Sequence, residues 1–364
     1  MTYNWQLKNW PNFTFSLEKI QAISVRFSLE FGLVNGISMS LSALAQREML
    51  SELLIEEAIK TSAIEGEYLS RIDVMSSIKN NLGLSPEKKI SDKHAKGIAN
   101  LMVDVHKNFN QELTLKLICY WHKLLMQNYP NIKEGKWRQG EESMQIVSGA
   151  FGKEIVHFEA PPSSRIQLEM DGFLDWHNKF DLPLNDVVSK ALVKASIAHL
   201  YFESINPFED GNGRIGRTLA EFSLSQTLET PMLLSLSKII EKNKASYYEQ
   251  LKIAQRSLEI TEWIMYFAEV LLDAQIDAKE LIKFTLKKVK FFDKHVEHLN
   301  TRQTKAINKM LENGSTDFEG GMTAKKYISI NKTSKATATR DLQLLNELGV
   351  FRQEGSGRSV RYML

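Results

Sequence analysis

The chain has 364 residues, of which 43% are hydrophobic and 25% charged, and its formal net charge is +2. This length suffices for two or three domains, and the near-balanced charge argues against a chain that binds polyanions along its whole surface. The single cysteine, Cys119, excludes an internal disulfide. No window approaches the roughly 18 apolar residues of a membrane span, and the N-terminus has no apolar core of signal-peptide length. We therefore expect a soluble, cytoplasmic protein without a membrane partner.

Two helices separated by a glycine are predicted within residues 49–81. Apolar residues recur there at helical spacing, and Gly66 interrupts the pattern. Helical spacing also covers most of the middle of the chain. The further predicted helices lie in residues 114–128, 166–180, 187–205 and 259–300, the last as one helix or two. The sequence therefore predicts a mainly α protein.

One β-hairpin is predicted within this helical region, in residues 144–162 with the sequence MQIVSGAFGKEIVHFEAPP. Two short β-prone runs flank a glycine-containing turn, and Pro161-Pro162 ends the second run. A two-stranded hairpin is only marginally stable alone. We therefore expect it to pack on helices or to offer an edge for strand pairing.

The pattern changes after about residue 300. Three helical stretches end near Gly314, Ile330 and Gly349, and a hairpin with a Gly-Ser-Gly turn follows them. Three helices followed by a hairpin is the order of a winged helix, a variant of the helix-turn-helix. The basic residues around the third helix and the hairpin are Lys332, Lys335, Arg340, Arg352, Arg358 and Arg361. Such a cluster suits contact with a DNA backbone, whereas a domain for protein docking or dimerisation is the alternative.

The stretch SINPFEDGNGRIGR, residues 204–217, has the composition of an anion site. Pro207 ends the preceding helix, and the glycines at 211 and 213 let the backbone approach a ligand closely. The next helix begins at once, so its free N–H groups face the turn. Arg214 and Arg217 are three residues apart and can project on one side, where guanidinium groups suit phosphate oxygens. Glu209 and Asp210 supply oxygens for Mg²⁺.

A plain surface turn is the alternative interpretation of this stretch, and two common phosphate loops are excluded. No GxxxxGK[ST] occurs, and the glycine turn does not follow a strand as a dinucleotide-binding loop requires. The pairing of an acid with two arginines around the turn favours phosphate binding.

The same stretch resembles the Fic (Fido) motif, HPFx[D/E]GNGRxxR, at every fixed position except the first, where Asn206 replaces histidine. The sequence EGKWR upstream, the hairpin, and SYYEQLKIAQ downstream add to the resemblance. It implies a Fic helical core with a hairpin flap at residues 109–272. It also implies a helical domain at 1–108, a linker helix at 273–299 and the winged-helix domain at 300–364.

Fic proteins transfer AMP from ATP to a Ser, Thr or Tyr hydroxyl of a target protein, so the resemblance implies ATP, Mg²⁺ and a target protein as partners. Asp210 would hold Mg²⁺, and the backbone of Gly211, Asn212 and Gly213 would cradle phosphates. Arg214 and Arg217 would bind the β- and γ-phosphates. The nucleoside would lie near Tyr247 and Gln255. The flap residues that would align the target by strand pairing are Val156, His157, Phe158 and Glu159.

The missing histidine puts catalysis in question. An asparagine amide accepts a hydrogen bond but has no useful basicity, and loss of a general base typically costs about 10² to 10⁴ in rate. Nucleotide binding does not depend on that side chain. His199 is expected to be packed in a helix, and His157 lies in the flap. His295 and His298 share a helix face without a third metal ligand.

The sequence TSAIEG, residues 61–66, is an ordinary helix end by itself. Beside a Fic core it matches the family's inhibitory motif [S/T]xxxE[G/N] at Thr61, Glu65 and Gly66. The resemblance implies that Glu65 pairs with Arg217 and blocks productive ATP binding. Three hypotheses follow from the sequence: an autoinhibited adenylyltransferase impaired by Asn206, an ATP-sensing DNA-binding regulator, and a scaffold without chemistry, as in a toxin–antitoxin pair or a homodimer.

Overall fold

A computed structural model describes residues 2–85, 90–140, 143–148, 155–183, 186–311 and 320–364. The chain forms two compact units, the first made of Met1–Met39 with Gln46–Lys279 and the second of Ser40–Ala45 with Glu280–Leu364. This division is coarser than the four segments expected from the sequence, whose boundaries stay predictions.

The elements that lie mainly in the first unit are helices around one hairpin, followed by a long helix that continues into the second unit. In chain order they are α1 (Leu17–Met39), α2 (Ala43–Ile64), α3 (Arg71–Asn81), α4 (Lys93–Lys107), α5 (Leu115–Met126), β1 (Gln145–Ser148), β2 (Ile155–Glu159), α6 (Ile166–Lys179), α7 (Val187–Ile205), α8 (Asn212–Thr227), α9 (Leu236–Lys242), α10 (Lys244–Ala254) and α11 (Thr261–His295). The predicted mainly α fold with a small hairpin is confirmed. The region 259–300 contains one long helix rather than two.

Helix α7 forms the centre of the first unit, since all of its residues from Val188 to Ile205 are buried except Lys190. A helix that is buried on all sides belongs in a core. One buried carbonyl of α7 is bound from a neighbouring helix: Trp263 Nε1 donates to Ser196 O at 2.8 Å. Helix α8 follows α7 after a short loop and packs against it. The loop between them is therefore held at both ends by packed helices.

The hairpin rests on the N-terminal segment of the chain. Strands β1 and β2 pair antiparallel, with Ile146 opposite Phe158, and the predicted turn at 149–154 lies outside the described residues. Phe158 is buried, and its ring meets Tyr3 edge to face with centroids 4.9 Å apart. Trp5 Nε1 donates to Glu159 O at 2.7 Å. The marginal hairpin is thus stabilised by aromatic residues from the start of the chain.

The second unit contains short helices and a second hairpin around a small core. The elements are α12 (Thr301–Leu311), α13 (Ala324–Asn331), α14 (Lys335–Glu347), β3 (Arg352–Glu354) and β4 (Arg361–Met363). Ser334 caps α14 by accepting from Thr337 N. Tyr327 donates from its hydroxyl to Asp341 Oδ2 at 2.9 Å, and Arg302 Nε binds the same oxygen at 2.8 Å. The predicted end of the first helix at Gly314 lies outside the described residues.

None of the helices in the described ranges is both long and apolar enough to cross a membrane.

Candidate phosphate-binding site

The loop between α7 and α8 turns through two residues with a left-handed backbone. Asn206 ends α7 at φ 47° and ψ 63°, and Gly211 precedes α8 at φ 81°. Asparagine adopts this conformation more readily than most residues with a side chain. Asn212 closes the loop from inside: its Oδ1 accepts from Phe208 N at 2.9 Å, and its Nδ2 donates to Phe208 O at 2.8 Å. The free N–H groups of α8 therefore face this loop, with the positive end of the helix dipole.

Arg138, the arginine of EGKWR, holds the loop to the base of the hairpin. It is 5% exposed. Its Nε donates to Asn206 O at 2.7 Å, and its terminal nitrogens donate to Pro161 O at 2.6 Å and Ser163 Oγ at 3.1 Å. Burial lowers the pKa of this guanidinium to about 10. The hydrogen bonds of one side chain thus fix the loop and the hairpin in a common position.

His122 of α5 supports the other side of the loop. Its Nδ1 lies 2.8 Å from Gly135 N, and its Nε2 lies 3.1 Å from Asp210 O. Because a backbone N–H only donates and a carbonyl only accepts, Nε2 must carry the proton. The imidazole also stacks on Phe208 with ring centroids 3.7 Å apart. Burial lowers the pKa of His122 to about 4, so the ring is neutral at pH 7.

Arg217 is buried and bound to the end of α2. Its Nε donates to Thr61 Oγ1 at 2.9 Å, and one terminal nitrogen donates to Thr61 O at 3.0 Å and to Glu65 Oε1 at 2.7 Å. A Cβ at Gly213 would collide with Glu65 Oε1. The carboxylate thus lies against the backbone of the first turn of α8, where an anionic ligand would lie.

Arg214 is also buried and paired with a carboxylate from the same segment. Its NH1 lies 2.8 Å from Glu67 Oε2 and 3.2 Å from the hydroxyl of Tyr129. Both arginines of the loop therefore contact glutamates that lie two residues apart, on either side of Gly66.

The backbone at the end of α2 explains how two neighbouring glutamates reach two arginines. Gly66 has φ 83°, its N–H donates to Ala63 O, and Glu67 N–H donates to Ser62 O, each at 3.0 Å. This is the Schellman pattern that ends many helices with a glycine in the left-handed region. It reverses the chain after Glu65, so that residues 65 and 67 both lie beside α8.

The side chain of Asn206 turns back into its own helix. Its Nδ2 donates to Glu203 O, and the same oxygen accepts from Gln255 Nε2 at 2.9 Å. The hydroxyl of Tyr247 lies 2.7 Å from His199 Nε2. Tyr247 and Gln255 are 1% and 3% exposed. The structure therefore places these two predicted nucleoside residues in the interior beneath the loop, next to α7.

The other histidines considered from the sequence make none of the hydrogen bonds described above for Asn206. Burial lowers the pKa of His199 to about 3, which leaves it neutral at pH 7. His157 belongs to β2, and His295 and His298 belong to the second unit. Burial also raises the pKa of Glu203 to about 8, and its Oε1 has no hydrogen-bond partner.

The predicted metal ligand, Asp210, is half exposed at the mouth of the loop. Its Oδ1 accepts from Gly211 N at 2.5 Å and lies 3.6 Å from an Arg214 nitrogen. Across the residues that the structure describes, no three His, Cys, Asp or Glu side chains are grouped as a metal site. One carboxylate fits Mg²⁺ only where phosphates and water complete the coordination.

The four predicted flap residues divide between surface and core. Val156 is 39% exposed, whereas Phe158 is 1% exposed and packs on Tyr3. The two residues are two positions apart, yet Phe158 pairs with Ile146 and Val156 with the next residue, Val147, because the register shifts by one residue between these pairs. This irregularity places Val156 and Phe158 on opposite faces of the hairpin. Phe158 supports the hairpin from inside.

Three residues of the site carry little or no signal in the sequence. Arg138 stands out only as part of EGKWR, and no local pattern marks His122. Each acts through contacts between residues that are distant along the chain. Glu67 carries one local signal that sequence reasoning missed: it is a second carboxylate directly after the glycine of TSAIEG.

Comparison with known proteins identifies the domain around this site. Residues 112–224 match the model of the Fic/DOC family, and residues 3–84 match a domain of unknown function, DUF4172. Protein adenylyltransferase fic-1 of Caenorhabditis briggsae is 23% identical over 231 residues, which are 62% of this chain and 41% of that protein. Protein adenylyltransferase Fic of Aedes aegypti is 24% identical over 237 residues, 64% of this chain and 43% of that protein. The chain spans about two-fifths of the length of these curated relatives.

Solved structures share the fold. A Fic family protein from Desulfovibrio desulfuricans G20 has a TM-score of 0.57 at 19% identity, covering 97% of this chain and 98% of that one. Fic-1 from C. elegans has a TM-score of 0.51 at 20% identity, covering 74% of each chain. The match to the family model identifies a Fic domain at residues 112–224, and the solved structures share the fold. The loop that resembles the family motif, with Asn206 in its first position, lies inside this domain.

Arg138 offers a test of how the loop is held. Arg138→Met keeps the apolar stem but removes every donor, which leaves buried carbonyl oxygens without partners. The free energy of unfolding should fall by roughly 1–3 kcal/mol. Lys136→Met, at an exposed neighbour, is the matched control and should change it by less than about 0.5 kcal/mol. Comparable unfolding midpoints for the two variants would contradict the role of Arg138.

His122 predicts a pH dependence. Its folded pKa of about 4 lies below the usual 6.5, so the unfolded chain binds a proton between these values while the folded chain does not. This residue therefore lowers stability as the pH falls from 6.5 to 4. In His122→Gln the free energy of unfolding should fall less between pH 7 and pH 4.5 than in the native chain. An unchanged pH profile in urea unfolding would contradict the buried neutral imidazole.

Proposed function

We propose that the chain binds ATP with its phosphates at the N-terminus of α8, and that it is an adenylyltransferase of Fic type whose transfer step is impaired by Asn206. One observation carries the proposal. Arg214 and Arg217 are buried at an uncapped helix N-terminus, and each is neutralised by a carboxylate that occupies the place of an anionic ligand. The relatives named adenylyltransferases support ATP as that ligand.

The transfer reaction would join a hydroxyl oxygen of the target protein to the α-phosphorus of ATP. The bond from that phosphorus to the bridging oxygen breaks, pyrophosphate leaves, and the hydroxyl proton passes to a base. Asn206 cannot accept that proton, and its amide is already bonded to Glu203 O. The loop nevertheless keeps its shape, because asparagine suits the left-handed backbone at this position. Binding should therefore persist while transfer is slow.

Glu65 is proposed to inhibit nucleotide binding from within the chain. Its contact with Arg217, together with the two bonds from Arg217 to Thr61, engages two of the three nitrogens of this guanidinium. A γ-phosphate would have to displace the carboxylate. The inhibition is reversible in principle, because the Glu65 side chain is 29% exposed.

Mg²⁺ is proposed to bind Asp210 together with the phosphates, and when bound it would neutralise their charge. Asp210 is oriented for this by Gly211 N–H. The target protein is proposed to pair with the outward edge of β2 near Val156. Cytoplasmic location and a homodimer stay predictions.

Transfer is tested with labelled ATP and a cell lysate in four proteins: the native chain, Asn206→His, Glu65→Gly and the double variant. Histidine tolerates the backbone of residue 206, so the double variant should fold. It should label itself or a lysate protein about 10² to 10⁴ times faster than Glu65→Gly alone. Adding Arg217→Ala should abolish the labelling. A double variant that labels nothing would contradict the transferase proposal.

Nucleotide binding is tested separately by calorimetry with ATP and Mg²⁺. Glu65→Gly should bind more tightly than the native chain, and Glu65→Gly with Arg217→Ala should return to weak binding. Equal affinity in both variants would contradict the assignment of Arg217.

A second candidate function, DNA binding by the second unit, is favoured by its basic surface. Lys332, Lys335 and Arg340 are exposed around the start of α14, although Arg352 and Arg361 of the hairpin both pair with Glu354. The order of three helices and a hairpin suits the placement of α14 in a major groove.

Gel shift with duplex fragments at several salt concentrations tests this candidate. Lys335→Glu with Arg340→Glu should weaken binding for all sequences, and each phosphate that is no longer neutralised should reduce the salt dependence by about one unit. Lys287→Glu with Lys290→Glu, an equal charge change on α11, is the control. Identical shifts for both pairs, or no shift for the native chain, would count against DNA binding.

A further inference from the structure

Three donor groups from different parts of the fold converge on the carboxylate of Glu67. Arg214 contacts Oε2 at 2.8 Å. The hydroxyl of Tyr129 donates to Oε1 at 2.5 Å, and His94 Nδ1 lies 2.9 Å from the same oxygen. A guanidinium, a hydroxyl and an imidazole around two oxygens are the donors that also bind a phosphate group.

The donors are held in place independently of Glu67. Arg214 lies in the first turn of α8, and Tyr129 follows the end of α5. His94 lies in the first turn of α4, which Asp92 caps through His94 N–H at 2.9 Å. The rings of His94 and Tyr129 stack in parallel with centroids 4.1 Å apart, and the Arg214 guanidinium lies 5.7 Å from the Tyr129 ring. The arrangement is therefore a preformed cluster of donors.

Arg214 has more donor capacity than its present contacts use. Its side chain is 3% exposed, and its Nε is buried without a hydrogen-bond partner. Such a buried donor is costly unless another state of the protein satisfies it. Glu67, by contrast, is 22% exposed and lies in a turn beyond the end of α2. The donors thus lie on or next to helices, whereas the carboxylate lies in a partly exposed turn.

We propose that Arg214, Tyr129 and His94 form a second anion subsite that binds a phosphate of the nucleotide, and that Glu67 occupies it as a second inhibitory carboxylate. The inference rests on the function proposed above and extends it. Glu65 blocks Arg217, Glu67 blocks Arg214, and the Schellman turn at Gly66 couples the two. Tyr129 and His94 bind the phosphate together with Arg214 once the turn has moved away.

The test is calorimetry with two probes, ATP with Mg²⁺ and inorganic tripolyphosphate, on the native chain, Glu65→Gln, Glu67→Gln and Glu67→Asp. Glu67→Gln removes the competing charge, and Glu67→Asp retains it but shortens the side chain. Both should bind either probe roughly tenfold more tightly than the native chain, the change expected when one charge-assisted competitor is removed. Glu112→Gln, an exposed carboxylate outside this cluster, is the control for net charge and should leave both affinities unchanged.

Adding Tyr129→Phe to Glu67→Gln distinguishes phosphate binding at the subsite from a general effect of removing one negative charge. It should reverse part of the increase in affinity, because the hydroxyl no longer reaches the phosphate. If Glu65→Gln tightens ATP binding while neither Glu67 variant differs from Glu112→Gln, the second subsite is overturned and the proposed function stands. If the Glu67 variants tighten tripolyphosphate but no variant binds ATP, the subsite stands and the proposed function fails.

Discussion

Two buried arginines at the N-terminus of one helix need anions, and this need organises the site. Arg214 and Arg217 are cations at the positive end of the α8 dipole, an unfavourable place for them without a counter-charge. In this structure Glu65 and Glu67 supply the charge, through a turn that depends on the left-handed Gly66. On the proposed function, an incoming polyphosphate would carry the same charge into the same place. Inhibition and ligand binding would then be two ways to satisfy one electrostatic requirement.

The surrounding fold holds the loop in shape through residues other than the two arginines. Arg138 ties the loop to the base of the hairpin, and His122 ties it to α5 through a neutral imidazole. The central helix α7 ends in Asn206, whose amide bonds back to Glu203 O. Compared with the motif histidine, Asn206 therefore lacks a basic group but still suits the left-handed backbone at this position. On the proposed function, the loss of a base and the retention of the loop's shape would be independent consequences of asparagine at position 206.

The helices could be predicted because periodic apolar residues act locally, and Gly66 marks a helix end by a local rule. The motif residues could be predicted because they are consecutive. Arg138, His122 and Glu67 could not, since each contacts a residue far away along the chain: Arg138 and Asn206 are 68 residues apart, His122 and Asp210 are 88 apart, and Glu67 and Arg214 are 147 apart. Burial of Tyr247 and Gln255 beneath the loop likewise depends on how α10 packs against α7, which no local pattern reports. The side of β2 that Phe158 occupies depends on the N-terminal aromatic residues.

The central claim is that phosphates and the two glutamates compete for the same two arginines. A crystal structure of the Glu65→Gly variant with ATP and Mg²⁺ tests it most directly. The account predicts phosphates at the first turn of α8, in contact with Arg214 and Arg217, with Glu67 displaced from Arg214. Phosphates bound elsewhere, or bound at α8 while Glu67 still pairs with Arg214, would contradict it.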